Sequence, residues 1–459
     1  IATFVGFSAR GIARCLDCHD RPEEAERVMS TFPSAFRLGM ANREAILGDR
    51  GTSAPDGWRW TDADIAKGST KTADVMLFVY GRTIEDCRQT LDRHYAVLKP
   101  AATWEVTTQP TEKSLKAEEE SRSRGEHGAA PMYEHFGFRD GISQPVIHGS
   151  QRAAAAEHDA DLVAAGELIL GYKNGAGYVA PALTVPAERD PGDDLETDTP
   201  AFASRFPRFD GSQDSESRDF GRNGTFVAVR QLAQDVEGFN GFLAAQKQEL
   251  ESYPGIEEVV GGPITEDWIG AKMMGRWQTG ASLIRAPHAV KGRPPPQTAD
   301  NDFSFATDDP QGLSCPFGAH IRRANPRGSL APDDPIQGVI ERRHRLLRRG
   351  RPYAGADGDP AERGMLFVAL CADLERQFEF LQQSWIGSPA FHGLTNEPDP
   401  ITGPPPCSGS HDFTIPTTAG AITLKGLKNF VTVKAGGYFF MPSRSALRFL
   451  ASQAERTPR

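Results

Sequence analysis

Two short segments hold residues whose types and spacing can do chemistry. In Cys315-Pro-Phe-Gly-Ala-His-Ile-Arg-Arg-Ala-Asn-Pro-Arg327 a single histidine, His320, follows an apolar, glycine-containing run and precedes a cluster of arginines. An imidazole beside guanidinium groups is what a haem requires: an axial ligand for the iron and cations for the propionates. A hydrogen-bonded core histidine is the plainer alternative, and this segment alone leaves both open. In His135-Phe-Gly-Phe-Arg-Asp-Gly-Ile-Ser-Gln-Pro145, Asp140 is set between glycines on a turn flanked by aromatic and aliphatic residues. Such a carboxylate can sit at the floor of an apolar pocket, with backbone free to approach a ligand closely. An ordinary Asp-Gly turn carries the same signature.

Two further stretches have competing readings. Glu341-Arg-Arg-His-Arg-Leu-Leu-Arg-Arg-Gly-Arg-Pro-Tyr353 is either a cation source for a site or a charged surface. Cys15-Leu-Asp-Cys18-His19 has the spacing of covalent c-type haem attachment. The pair lies in a stretch that reads as a helix opening after a strand, so two helical cysteines and a surface histidine are the better account.

The elements that must position these segments recur as strand then helix. Val75 to Tyr80 precedes Thr83 to Val97, where Ile84, Cys87, Leu91, Tyr95 and Leu98 fall at helical spacing. Thr225 to Val229 precedes a helix from Asp235 to Leu250, and Met365 to Leu370 precedes Leu374 to Trp385. Phe430 to Val433 and Tyr438 to Phe440 read as two strands before a helix from Ser443 to Ser452. Further strands are expected at Ala2 to Phe7, Trp104 to Thr107 and Leu168 to Leu170. Long polar connections run from Thr108 to Pro131, Pro186 to Gly224 and Pro287 to Gly312. The economical architecture is α+β in two halves, divided near residue 220 into 1–220 and 221–459.

Composition narrows the class. Lys and Arg number 51 against 61 Asp and Glu in 459 residues, a net charge of −10, so a general nucleic-acid binder is excluded. The longest apolar runs suit buried strands and are too short for a membrane-spanning helix. Six cysteines are too few for a disulfide scaffold, which favours a cytoplasmic placement. The chain does not begin with Met, so the alternative is a secreted protein whose leader has been removed.

Read together, five blocks carry a resemblance. Gly137-Phe-Arg-Asp-Gly141 matches the GxxDG signature of dye-decolourising peroxidases, and Cys315-Pro-Phe-Gly-Ala-His320 resembles their proximal-histidine motif. Leu347-Arg-Arg-Gly-Arg-Pro-Tyr353 is similar to their distal-arginine segment. Gln377-Phe-Glu-Phe-Leu-Gln-Gln-Ser-Trp385 and Tyr438-Phe-Phe-Met-Pro-Ser443 resemble their C-terminal blocks. The blocks stand in the family's order between Gly137 and Leu450, with insertions like those of its larger members.

The resemblance implies two ferredoxin-like domains with antiparallel sheets, a dimeric α/β-barrel-like architecture, and non-covalent haem b in the C-terminal one. It implies a peroxidase that reduces hydrogen peroxide through an oxoferryl porphyrin radical and oxidises dyes, phenols and other bulky aromatic donors one electron at a time. His320 would be the axial ligand, with Asp399 accepting a hydrogen bond from its imidazole and Arg322 pairing with a propionate. Asp140, followed by Gly141 at the cofactor, would be the distal carboxylate. Arg348 rather than Arg349 would be the distal guanidinium. Tyr353 and Trp385 are candidate electron relays, Tyr353 on a turn that reaches solvent and Trp385 with core packing as its alternative. An oligomer is compatible with this reading. The alternative function is a haem-binding or haem-trafficking protein with little peroxidase turnover, and a third is an interaction module without cofactor.

Overall fold

The computed structural model describes all residues except 17–21, 65–70, 100–102, 124–130, 154–160, 198–216, 293–299, 332, 357–358 and 456–459. Its centre is a nine-stranded sheet whose main path runs Leu347–Arg348, Asp359–Cys371, Thr225–Gln234, Val431–Met441, Ala2–Phe7, Val75–Tyr80. Every pairing along that path is antiparallel. Arg351–Ala356 also pairs with Asp359–Cys371, and the short strands Trp60–Thr61 and Lys71–Thr72 join through parallel bridges. The class is α+β, with several antiparallel sheets and no closed barrel among the described residues. Strands from both sides of residue 220 share this one sheet, Phe7 pairing with Phe440.

Both faces of the sheet are covered, which explains its near-continuous apolar strands. Val227, Val229, Val368, Ala435 and Phe439 pack on one face, and Phe226, Ala228, Tyr438 and Phe440 on the other. The segment expected as two strands is one, Val431–Met441. Its register shifts opposite Gln231 and Leu232, where Lys434 is the extra residue. A bulge of this kind resets the alternation. Val431 and Val433 therefore share a face with Tyr438 and Phe440 although their numbers differ in parity.

Most expected elements form. Val75–Tyr80 and Ala2–Phe7 are strands, and the helices are Ile84–Leu98, Val236–Glu251 and Arg444–Glu455. The expected helix Leu374 to Trp385 is wound as two π-helical stretches, Leu374–Glu379 and Leu381–Ile386. Such winding is rare and concentrates at functional sites.

Three expectations are corrected. Trp104 to Thr107 is irregular, because Trp104 anchors by packing against the Val227 cluster rather than by strand pairing. Leu168 to Leu170 is a turn after the short helix Ala165–Glu167; its two leucines are buried as loop residues, and a three-residue apolar run cannot tell the two apart. The connection Thr108 to Pro131 contains a helix, Glu112–Ser123. Thr111 Oγ1 accepts from Ser114 N at its start, and its polar sequence offers no apolar period to read. No helix among the described residues is long and apolar enough to cross a membrane.

Candidate active site

His320 opens the short helix His320–Ala324, at the end of the Pro316 to Ala319 turn. Its Nδ1 lies 2.8 Å from Oδ2 of Asp399, so the proton sits on Nδ1 and Nε2 keeps its lone pair. Asp399 is 3% exposed. Its Oδ1 accepts from the backbone N–H groups of Ile401 at 2.9 Å and Thr402 at 2.8 Å. Burial pushes the Asp399 pKa up, but His320, the Thr402 amide and Arg323 outweigh it and the net direction is down. An ionised partner of this kind makes the imidazole a stronger donor at Nε2.

Asp140 ends the two-residue strand Arg139–Asp140, which pairs with Met132–Tyr133 around a tight turn. Glu134 holds that turn: its carboxylate accepts from the N–H groups of Phe136 and Phe138, both at 2.8 Å, and from Gln234 Nε2 at 2.6 Å. Gly137 and Gly141 have φ of 91° and 82°, a region that side chains with a Cβ rarely enter, and they bracket the carboxylate. Arg348 is tied to the same segment. Its backbone N–H donates to Gln144 Oε1 at 3.0 Å and its Nη2 to the Ile142 carbonyl at 3.2 Å. Arg349, its neighbour, is exposed.

One cavity of about 290 Å³ is lined by His320, Asp140 and Arg348 together. Leu232, Met365, Phe367, Val431 and Val433 of the sheet supply apolar wall, and Phe378, Leu381 and Ile386 of the π-wound segment supply more. The size lies near the lower end of cofactor and small-molecule sites, roughly 300 to 1,000 Å³.

Five more arginines line this cavity: Arg139, Arg230, which pairs with Asp49 at 2.6 Å, and the group Arg276, Arg327 and Arg345. Burial pushes the Arg276 pKa down to about 10 and that of Arg327 to about 9, and Arg345 also moves down. Arg327 feels the charges of Arg276 and Arg345, while Arg276 and Arg345 each feel Arg348. Asp161 and Asp300 compensate only in part. The concentrated positive charge suits an anionic ligand. The sequence motifs did not single out Arg276, Arg327 and Arg345; Arg327 lies within the quoted histidine motif and Arg345 within the basic stretch, so proximity to the motifs was the available signal for those two, while Arg276 lies in neither.

Arg322 is placed elsewhere. It is fully buried, its Nη1 donating to Asp309 Oδ2 at 2.9 Å and to the Cys315 carbonyl at 2.8 Å, its Nη2 to the Asp309 carbonyl at 2.9 Å. Its guanidinium stacks between the rings of Phe305 and Phe317. On a short helix, residues two apart point to different sides, so Arg322 leaves the face His320 presents to the cavity.

The two relay candidates are also inside the protein. Tyr353 belongs to the strand Arg351–Ala356 and is 1% exposed, its hydroxyl 2.8 Å from Glu362 Oε1 and 3.1 Å from the Leu232 carbonyl. The solvent-reaching turn expected for it is replaced by sheet pairing with Gly364. Trp385 is 6% exposed and packs with Phe380, His344 and Phe391. That is the core role named as its alternative. Cys15 is a free, half-buried thiol; Cys18 and His19 lie outside the described residues.

No family model matches the chain. Among curated proteins it is 29% identical over 449 residues to Peroxidase 2 of Mycetinis scorodonius, covering 90% of this chain and 71% of that one. It is 28% identical over 348 residues to the dye-decolorizing peroxidase msp1 of the same organism, there spanning 57% of the relative's length. A multifunctional dye peroxidase of Amycolatopsis sp. is 29% identical over 401 residues, 83% of this chain and 72% of that one. Solved structures share the fold. A DyP-type peroxidase of Anabaena sp. superposes with a TM-score of 0.64 at 21% identity, over 98% of this chain and 80% of its own. An ancestral D-type dye-decolorizing peroxidase gives 0.65 at 24%, over 97% and 85%. Fold, cavity and sequence likeness thus define a peroxide-dependent oxidoreductase. Within that class the relatives and the structures that it resembles are dye-decolourising peroxidases.

Proposed function

We propose that this protein is a haem b peroxidase acting on hydrogen peroxide and on dye-like or phenolic donors. The observation that carries the reading is the meeting, on one cavity, of a carboxylate-backed imidazole, a separate carboxylate and a guanidinium. The donor set suits haem. His320 Nε2 has no hydrogen bond among the described residues and would hold the iron, apolar side chains would cover the macrocycle, and Arg327, Arg276 and Arg345 would pair with the propionates. Bound there, haem would supply the iron that takes peroxide and the oxidising equivalents passed on to donors.

The chain's own residues supply the proton and charge handling. Asp140, as carboxylate, takes the proton from the nearer peroxide oxygen and returns it to the departing one, directly or through one water. Arg348 stabilises the negative charge that develops on the departing oxygen. Asp399 keeps the His320 imidazole in the Nδ1–H tautomer and raises its donor strength. The donor class follows the names of the relatives, which include dye peroxidases. The cytoplasmic placement stays part of the proposal, supported by five described cysteines that are free thiols.

The test is an absorption spectrum of the purified, haem-supplemented chain before and after one equivalent of peroxide. A Soret band that shifts within milliseconds and returns on adding a phenol is expected. A Soret band indifferent to peroxide would make the protein a haem carrier, and no Soret band would remove the haem.

A further inference from the structure

His320 and Asp399 lie 79 positions apart in the chain, yet their hydrogen bond depends on a fixed separation between two loops. A single buried side chain holds both loops. Arg323 is 0% exposed, and its Nε donates to the carbonyl of Gly318 at 3.1 Å. Its Nη1 donates to the carbonyls of Trp385 at 2.6 Å and Ser388 at 3.0 Å, and its Nη2 to that of Glu397. Gly318 is two residues before His320, and Glu397 is two residues before Asp399. The same fork thus grips the backbone just ahead of each member of the pair, with the end of the π-wound segment between them. The face of the guanidinium rests on the Phe391 ring, 4.9 Å from its centroid, which fixes the plane of the fork.

We infer that Arg323 is a positioning residue for the axial ligand, setting the His320 to Asp399 hydrogen bond by clamping the loops that carry the two residues. This rests on the proposed haem ligation by His320. Arg322, one residue earlier, serves Asp309 and the Cys315 carbonyl and makes no hydrogen bond to the Asp399 loop. A lysine at 323 keeps the charge but cannot hold four carbonyls in one plane, so the pair slackens while the charge remains. A weaker bond at Nδ1 makes Nε2 a poorer donor to iron. The ferric to ferrous midpoint potential then rises, and haem leaves faster.

The experiment is a double-mutant cycle on haem-loaded protein with wild type, Arg323→Lys, Asp399→Asn and both together, reading midpoint potential and the rate of haem transfer to a scavenger. Arg323→Lys is expected to raise the potential in the same direction as Asp399→Asn and to speed haem loss about 10- to 100-fold, the usual effect of losing a partner behind a ligand. In the Asp399→Asn background the Arg323 change should add less than about twofold, because residues acting through one bond are not additive. Equal effects with and without Asp399, or an unchanged potential with lowered thermal stability, would overturn the inference and leave Arg323 a structural clamp. If Arg323→Lys does not fold, Arg323→Gln is read in the same cycle. Wild-type protein that takes up no haem would instead refute the ligation on which the inference rests, and hydrogen exchange at Ile401 and Thr402 in haem-free wild type and Arg323→Lys would then show whether the clamp itself holds.

Discussion

Arg348 donates from Nη2 to the carbonyl of Ile142 at 3.2 Å, so the cavity guanidinium is fastened to the segment that carries Asp140. Through this bond and that from Arg348 N to Gln144 Oε1 the two residues are linked although 348 − 140 = 208 positions separate them. Arg348→Leu is expected to slow the reaction with peroxide by about 10² to 10³, the usual loss when one electrostatic stabiliser is removed. Asp140→Asn is expected to slow it by about 10² to 10⁴. Both variants should retain haem, and stopped-flow spectra after peroxide addition at several pH values would check this. Wild-type rates in both would remove the pair from the reaction.

Two arginines that follow His320 make opposite predictions. Arg322→Met leaves the Asp309 carboxylate without its cation and should cost about 3 to 5 kcal/mol of folding stability, with haem affinity per folded molecule unchanged. Arg327→Gln should do the reverse, weakening haem binding with a smaller change in stability. Urea unfolding of the haem-free chains beside haem titration separates the two. Weak haem binding by folded Arg322→Met would return that residue to the cofactor.

Asp62 gives the protein a pH-dependent stability. The carboxylate is 2% exposed and joins Met40 N at 2.9 Å to Tyr438 N at 2.8 Å. Burial raises its pKa from 3.8 to about 6, with the backbone N–H bonds pulling the other way. Between those values the folded chain holds a proton that the unfolded chain lacks. This group's contribution is therefore full below about pH 4 and is lost as pH rises through about 6. The change is on the order of 3 kcal/mol. The difference in unfolding free energy between wild type and Asp62→Asn, followed from pH 4 to 7.5, should fall with rising pH. A flat difference would show that Asp62 titrates normally.

Tyr353→Phe tests burial against surface oxidation. The hydroxyl is spent on Glu362 and the Leu232 carbonyl inside the sheet. Its loss should lower stability by about 1 kcal/mol and reduce turnover of bulky dyes and small phenols alike. Steady-state rates with donors of both sizes would check it, and a selective loss for bulky dyes would make Tyr353 a relay after all.

What the sequence determined by itself was local. Strands such as Val75–Tyr80 and helices such as Val236–Glu251 follow from apolar periods within one element, and the segments around Asp140, His320 and Arg348 stand out because glycine, histidine and arginine are set close together there. Tertiary structure decided what depends on direction. Arg322 and Arg327 stand five residues apart in one arginine-rich stretch, yet one is buried against Asp309 and the other lines the cavity. The pairing of Ala435, Gly436 and Gly437 with Gln231, Arg230 and Val229 joins two apparent strands into one, and Tyr353 turns from an apparent surface turn into a buried strand residue because Gly364 lies opposite it. In each case the composition of the local segment is the same for either outcome. The choice is made by partners tens to hundreds of positions away, whose packing and hydrogen bonds set which way each side chain points.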